Sequence, residues 1–362
     1  MHKLADLTVV VPCFNERPNI APMVEKLTNA LQGIDWEVVF VDDNSPDGTA
    51  DAVREVAQTN PRVRLIHRIG RRGLAGACIE GILSSTAPLA AVIDGDLQHD
   101  ESKLRDMFDS MQDGADIAIG SRNIDGGSSG TGLSAIRQKG SDFATTLAKK
   151  LLKITASDPM SGFFMVRRES FNSVVTDLQT QGFKILADML AASKGRWKTV
   201  EIPYTFRERQ HGESKMDSAV TLEFLGLLAS RLTGGLMPIR FVLFIMVGVS
   251  GVFVQLAAVW LALLVIPSFA IAQTFGVFVA MTTNFLLNNA LTYRDRALSG
   301  MAMLRGLLTF YAVCAVGAVA NVGVAELIFR LFPYWVFASI IGAVVGAFWN
   351  FLASSLVTWR TR

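Results

Sequence analysis

The sequence predicts a two-part protein: an α/β domain built on a mostly parallel sheet, followed by an all-α transmembrane domain of four helices. Three observations predict it. Apolar strand-like runs alternate with amphipathic stretches through the first half. Charge then thins out: no lysine follows Lys215, and after Glu223 the only acidic residues are Asp295 and Glu326. Long apolar stretches fill the last third.

In the first half the strand candidates are Leu7–Val11, Glu37–Val41, Val63–His67, Leu89–Ile93 and Asp116–Gly120. Helix-like segments lie near Asn19–Leu31, Asp47–Gln58, Gly73–Ser84 and Glu101–Met111. Continuously apolar strands alternating with helices imply βαβ units, Rossmann-like, with the sheet covered on both faces. Ligands of such sheets gather at the carboxyl ends of the strands. The acidic motifs of this chain stand there, directly after the second and fourth strands.

From Phe241 to Tyr293 there is no Asp, Glu, Lys, Arg or His, which is enough for two helical spans with a turn at Pro267–Ser268. Gly306–Ala325 supplies a third span and Leu331–Trp359 a fourth, each long enough for the ~20 apolar residues a bilayer needs. Basic residues set the expected orientation. Arg240, the run Tyr293-Arg294-Asp295-Arg296, Arg305 and the end Trp359-Arg360-Thr361-Arg362 place both termini and the first domain in the cytoplasm. Asn284, Asn288, Asn289, Asn321 and Asn350 read as interhelical hydrogen-bonding amides. Between the halves, Asp217–Met237 is amphipathic, with Leu222, Leu225, Leu228, Leu232 and Leu236 near helical spacing, and reads as an interfacial helix. The expected division is 1–215, 216–238 and 239–362.

Composition closes off other classes. A formal net charge of +2 does not point to a nucleic-acid partner. Cys13, Cys78 and Cys314 form no CxxC pair, and four scattered histidines give no zinc signature. The chain runs directly into Leu7–Pro12 without a basic region and apolar core of its own, so no signal peptide is expected.

Three motifs carry chemistry. Val9-Val10-Val11-Pro12-Cys13-Phe14-Asn15-Glu16 is a strand running into a turn. Val41-Asp42-Asp43-Asn44-Ser45-Pro46-Asp47-Gly48-Thr49 is a strand ending in carboxylates. Each alone also fits an ordinary turn with a helix N-cap, and a carboxylate at a strand end also suits a nucleobase N–H. In Val92-Ile93-Asp94-Gly95-Asp96-Leu97-Gln98-His99-Asp100, two carboxylates and an amide recur at every second position. In an extended chain all three point to one side, an oxygen-donor set suited to Mg²⁺ or Mn²⁺ bridging a diphosphate. A solvated turn is the alternative.

The combination of Pro-x-x-Asn-Glu, Asp-Asp-x-Ser and Asp-x-Asp resembles the family 2 inverting glycosyltransferases of the GT-A fold. Gly120-Ser121-Arg122, Asp158-Pro159-Met160-Ser161-Gly162-Phe163-Phe164, Gly182-Phe183-Lys184-Ile185-Leu186 and Arg209-Gln210-His211-Gly212-Glu213-Ser214-Lys215 resemble the dolichol-phosphate or polyprenol-phosphate mannose synthases. This likeness runs from Leu7 to about Lys215. The four-span tail is similar to the GtrA-type membrane domain fused to some of those enzymes.

The resemblance implies a glycosyltransferase that moves a sugar, with mannose from GDP-mannose the leading donor, onto a polyprenyl or dolichyl phosphate at the bilayer. It implies that Pro12, Phe14, Glu16, Val41 and Asp43, with Asp94, Gly95 and Asp96, bind the donor nucleotide. Asp94, Asp96 and Gln98 would hold the divalent cation, Mg²⁺ or Mn²⁺. Arg122, Arg137 and Ser141 would receive the acceptor phosphate. Asp96, Arg209 and Lys215 would be catalytic, the last two on a loop closing over the donor. The Gly126–Gly132 segment reads as an acceptor loop or a plain surface loop. Asn44 stands where the family commonly has an acidic residue. Ser193 stands where processive synthases carry the Gln of Gln-x-x-Arg-Trp, which argues against a polymerising synthase. The alternatives are the same reaction with a UDP-sugar such as UDP-glucose, or a lipid-linked-sugar carrier or flippase partner whose soluble domain only binds.

Overall fold

Every residue of Leu7–Cys13 is buried, as a strand covered on both faces requires, and this strand, β1, is central to the first part of the fold. A computed structural model describes residues 5–128, 149, 154–180, 184–207, 239–332 and 334–359. The chain divides into two units, Met1–Gly235 and Leu236–Arg362.

In the first unit β1 pairs in parallel with β2 (Trp36–Asp42) and β4 (Leu89–Val92), and β2 pairs in parallel with β3 (Val63–His67). The intervening helices are α1 (Ile20–Ala30), α2 (Thr49–Thr59), α3 (Leu74–Leu83) and α4 (Lys103–Gln112). Their buried faces follow helical spacing: Ile20, Met23, Val24 and Leu27 on α1, and Leu104, Met107 and Met111 on α4. Such side chains contribute about 1.5–3 kcal/mol each when fully withdrawn from water. Helix α2 begins two residues later than expected. Gly48 has φ 83°, and Asp47 accepts from the Thr49 N–H at 3.0 Å, a local turn that competes with an earlier helical start.

Three strands complete the sheet in the order β3-β2-β1-β4-β6-β5-β7. β5 (Ile117–Ser121) and β7 (Thr199–Pro203) run parallel to each other, whereas β6 (Phe164–Arg167) is antiparallel to β4 and β5. Helices α5 (Arg168–Asn172) and α6 (Ile185–Ser193) follow β6. Because β6 is reversed, the residues that precede it arrive at the end of the sheet where β4 and β5 finish. That reversal brings Asp158–Phe163 to the acidic turns.

Among the described residues the second unit has four long helices: α7 (Ile239–Leu263), α8 (Phe269–Leu287), α9 (Gly300–Leu331) and α10 (Trp335–Ala353). Two windows, Arg240–Leu263 and Gly300–Gly317, are long and apolar enough to cross a membrane, with mean hydropathies of 2.4 and 1.5. Val249, Val252, Phe253, Leu256 and Trp260 form an exposed apolar stripe along α7. The expected turn at Pro267–Ser268 separates α7 from α8, and the expected third span lies within α9. Asp217–Met237 falls outside the described residues.

This unit is an internal repeat. Phe244, Gly251, Asn284, Phe285 and Tyr293 recur as Phe310, Gly317, Asn350, Phe351 and Trp359 at a constant offset of 66 (310 − 244, 317 − 251, 350 − 284, 359 − 293). The contacts between the halves are reciprocal. Phe244 meets Phe351 and Phe310 meets Phe285, both with ring centroids 5.8 Å apart. The Trp359 Nε1–H donates to Asn289 Oδ1 at 2.9 Å, and the equivalent Tyr293 hydroxyl bonds Ser355 Oγ at 2.7 Å. The two helix hairpins therefore meet as a two-fold pair does. Asn289 bridges helices as expected, but Asn288 bonds within its own turn, to Thr292 at 2.7 Å. Asn284 and Asn350 instead pack against glycine: a Cβ on Gly251 would lie 2.4 Å from Asn284 Oδ1. The side chain of Asn321 lies outside the described residues.

Candidate active site

Two strand ends are stapled together at the carboxyl edge of the sheet. The Asp43 N–H donates to the Cys13 carbonyl at 3.1 Å, joining the ends of β1 and β2. Asn15 adopts φ 58° and donates its N–H to Ser45 Oγ at 2.9 Å. The next N–H, on Glu16, donates to Thr49 Oγ1 at 3.0 Å, and the buried Glu16 carboxylate accepts from Asn19 Nδ2 at 2.7 Å. The Phe14 ring carries the Arg72 guanidinium 4.7 Å above it. Asp42 is fully buried and accepts from both the N–H and hydroxyl of Ser45.

Asp43 is more committed than the sequence suggests. One oxygen accepts the Gly73 N–H at 2.7 Å, and the other accepts from buried Arg68, whose Nε–H reaches Glu80 at 3.2 Å. Burial raises its carboxyl above the ordinary range, against the pull of Gly73 and Arg68. A nucleoside N–H would share these oxygens rather than find them unoccupied. Val41 is also different from its expected role. Its side chain is completely buried beneath α3, where a Cβ on Gly81 would touch it at 3.0 Å, so only its main chain could face a nucleotide.

The acidic turn after β4 is not extended, which corrects the alternation expected for Asp94, Asp96 and Gln98. The strand ends at Val92, and Leu97 takes φ 61° with its side chain buried. Asp96 accepts the Gln98 N–H at 3.1 Å, and the Gln98 side-chain amide donates to the Arg207 carbonyl at 3.0 Å. Asp94 is the open member, with its side chain 34% exposed, and it bonds His99 Nε2 at 3.1 Å. Gly95 packs closely on the end of β1: a Cβ there would sit 3.3 Å from Cys13 Sγ and 3.4 Å from the Pro12 carbonyl.

The donor chemistry fits a hard cation. Among the described residues no three or more His, Cys, Asp or Glu side chains cluster to hold an ion. Mg²⁺ and Mn²⁺ do not require that: such ions are commonly held by one or two carboxylates together with substrate phosphates. Asp94 and Asp96 would supply the carboxylates, and Gln98 Oε1 a neutral oxygen.

A cationic group stands opposite. Arg122, just past β5, forks onto Asp158 through Nε at 2.7 Å and Nη2 at 2.9 Å, and its backbone N–H adds a third bond at 3.2 Å. Burial works against the guanidinium charge, but Asp158 outweighs it and holds the group above its ordinary range. With one edge of the fork used on Asp158, Nη1 remains for a phosphate. Lys184, at the start of α6, has its amine 3.5 Å from the Met160 carbonyl. Burial, reinforced by Arg122, pushes that ammonium below its ordinary range, while Asp94 and Asp158 pull the other way. Asp94, Arg122, Asp158 and Lys184 thus lie within electrostatic reach of one another. Arg137, Ser141, Arg209, Lys215 and residues 129–132 of the glycine-rich segment lie outside the described residues.

Sequence reasoning gave no role to Arg68, His99, Asp158, Lys184 or Tyr204. Asp158 and Lys184 belong to the motifs that carry the family resemblance, and His99 lies within the third acidic motif. Those adjacencies were the available signals.

The whole chain has relatives. It is 33% identical over 359 residues to a dolichol-phosphate mannosyltransferase of Pyrococcus furiosus, covering 98% of this chain and 99% of that one. The chain belongs to the dolichol-phosphate mannosyltransferase family. It is therefore a glycosyltransferase. Residues 8–175 match glycosyl transferase family 2, and residues 243–359 match the GtrA/DPMS transmembrane domain. A polyprenol monophosphomannose synthase of Mycolicibacterium smegmatis is 31% identical over 217 residues, covering 58% of this chain and 81% of that one. Among solved structures, glucosyl-3-phosphoglycerate synthase of Mycobacterium tuberculosis, in complex with Mn²⁺, UDP and phosphoglyceric acid, aligns with a TM-score of 0.50 at 17% identity. That alignment covers 63% of this chain and 78% of the other, and the likeness is one of fold. The mixed sheet of this glycosyltransferase is accordingly GT-A-like.

Gly162 lines the acidic turn. A Cβ there would lie 2.5 Å from Asp94 Oδ2 and 3.0 Å from its Cγ. Gly162→Ala is expected to displace the Asp94 carboxylate and lower kcat/KM for sugar transfer about a hundredfold, the scale of a 1 Å misplacement. Steady-state kinetics beside a thermal melt checks this; an unchanged rate would mean that Asp94 has no positional role.

Proposed function

We propose that this glycosyltransferase moves mannose from GDP-mannose to a polyprenyl or dolichyl monophosphate, with inversion at the anomeric carbon, at the cytoplasmic face of a membrane. The observation that carries the reading is that Asp94 lies within electrostatic reach of Arg122 and Lys184 at the carboxyl edge of the sheet, in a chain related over its length to dolichol-phosphate mannosyltransferases. Pro12, Phe14, Glu16 and Asp43, with the main chain of Val41, surround the nucleoside. Asp94, Gly95 and Asp96 face the diphosphate, and Asp94, Asp96 and Gln98 hold Mg²⁺ or Mn²⁺. Arg122, Arg137 and Ser141 receive the acceptor phosphate, and Arg209 and Lys215 close over the donor. Residues 1–215 form the catalytic domain, 216–238 lie along the interface, and four helices in 239–362 span the bilayer.

The chemistry asks for charge management more than proton transfer. A phosphate monoester has a second pKa of ~6, so the nucleophile is already anionic near neutral pH and no general base is assigned. One phosphate oxygen forms its bond to the sugar C1 as the bond from C1 to the leaving diphosphate breaks, and the nucleoside diphosphate departs with that electron pair. Two unit charges ~4 Å apart repel by about 4 kcal/mol at an effective dielectric of 20. A bound divalent cation would neutralise the leaving group. Arg122 orients the acceptor phosphate through its remaining N–H donors, held by Asp158. Lys184 adds a second positive centre.

The test is a panel of GDP- and UDP-sugars offered with a short polyprenyl phosphate, with and without Mg²⁺ or Mn²⁺, and the product identified by mass. A mannosyl phosphoprenol formed from GDP-mannose in the presence of the ion is expected. Preference for a UDP-sugar would overturn the donor assignment. Nucleotide release without any lipid product would overturn the acceptor.

A further inference from the structure

The acidic turn is fastened to the segment beyond β7 at successive residues. Arg207 donates its backbone N–H to the Gln98 carbonyl at 2.8 Å, and the Gln98 side chain donates back to the Arg207 carbonyl at 3.0 Å. The Arg207 guanidinium then reaches Asp100 and Glu101, each at 2.7 Å. Between these ties sits His99, 2% exposed, with ring centroids 5.3 Å from Phe163, 5.5 Å from Tyr204 and 5.3 Å from Phe206. A polar ring so deeply buried needs partners at both nitrogens. It has two: Nδ1 lies 2.9 Å from the Tyr204 hydroxyl, and Nε2 lies 3.1 Å from Asp94 Oδ2.

The chemistry of the partners orders this chain. A carboxylate only accepts, so Nε2 carries the hydrogen, and Nδ1 then accepts from the phenol. Burial pushes the Tyr204 phenol above its ordinary range, which keeps it a donor. Phe163 and Phe206 offer the ring no other hydrogen-bond partner. The Asp94 carboxylate therefore fixes the tautomer of His99, the Tyr204 hydroxyl completes it at Nδ1, and His99 holds one oxygen of Asp94. Asp94 Oδ1 takes no hydrogen bond among the described residues. Gly162 leaves room for the carboxylate on the other side.

We propose that His99 is a positioning residue that turns Asp94 so that Oδ1 meets the divalent ion and the donor diphosphate. The inference rests on the donor-site reading given above. His99 touches no reactant itself. It acts as outer-shell partners of metal ligands do, where loss typically weakens the metal site 10- to 100-fold.

The experiment measures GDP affinity by calorimetry on the full chain in detergent, with and without Mn²⁺, for wild type, His99→Phe and His99→Gln, with a thermal melt of each. Phe keeps an aromatic ring in the cage without an N–H; Gln restores a donor. We expect His99→Phe to lose about tenfold in Mn²⁺-dependent GDP affinity, with little change in affinity without the ion, and His99→Gln to regain most of the loss. Wild-type affinity in His99→Phe, or an equal loss with and without Mn²⁺, would overturn the positioning role. If His99→Phe does not fold, the comparison passes to Tyr204→Phe, which keeps the ring pair and removes only the hydroxyl. It should show a smaller, still Mn²⁺-dependent loss, and wild-type behaviour there would overturn the role equally. If wild type binds no nucleoside diphosphate with either ion, the donor-site reading fails, and this inference falls with it.

Discussion

Asp96→Asn is expected to abolish most sugar transfer while leaving the protein folded. The replacement is isosteric, and its side-chain oxygen still accepts the Gln98 N–H that Asp96 accepts at 3.1 Å, so the turn keeps its shape. What disappears, on the proposed reading, is one negative charge facing the divalent ion. An attraction of about 4 kcal/mol, the scale of unit charges ~4 Å apart at an effective dielectric of 20, corresponds to roughly a thousandfold in rate. The measurement is lipid product formed per minute at saturating donor and Mn²⁺, with the melting temperature as control. A variant that transfers sugar at the wild-type rate would remove Asp96 from the ion's surroundings.

Asp158→Ala should give the largest loss of stability in the catalytic unit. Its carboxylate is fully buried and accepts three hydrogen bonds from Arg122, whose side chain is 11% exposed. Removing one member of such a pair leaves an uncompensated buried charge, at a cost of about 3–5 kcal/mol, or a drop of about 10 °C in melting temperature. The pair has a second duty, since Asp158 aims the fork of Arg122. Replacing both together, Arg122→Met with Asp158→Leu, should recover much of the stability, because a well-packed apolar pair is often at least as stable as a buried ion pair. It should not recover transfer to the lipid phosphate. If Asp158→Ala melted like wild type, the pair would have no structural role. If the double variant transferred normally, Arg122 would have no acceptor role.

The parts of this molecule that were legible in sequence are those governed by short-range pattern. Strands β1 to β5 announced themselves as apolar runs, and α1 and α4 as amphipathic ones, because burial on one or both faces dictates local composition. β6 has four residues and β7 ends at Pro203, too little periodicity to declare a strand. The positions of the acidic motifs at strand ends were legible; the shape of the third was not. A leucine at φ 61° is an unfavourable conformation for a branched side chain, retained because Leu97 is buried beneath the turn. Long-range partners were invisible for a different reason. Arg122 meets Asp158 across 36 positions and His99 meets Tyr204 across 105, and only the reversed strand and the sheet order bring them together.

The duplicated hairpins carry a consequence for how the helical unit changes over time. An interface that complements itself is met by any second copy, so joining two copies in one polypeptide needed no newly invented contact. Once joined, the halves are free to diverge. The indole of Trp359 can only donate toward Asn289, whereas Tyr293 and Ser355 meet hydroxyl to hydroxyl and either can give the proton. One rivet has acquired a fixed polarity, and its twin remains reversible.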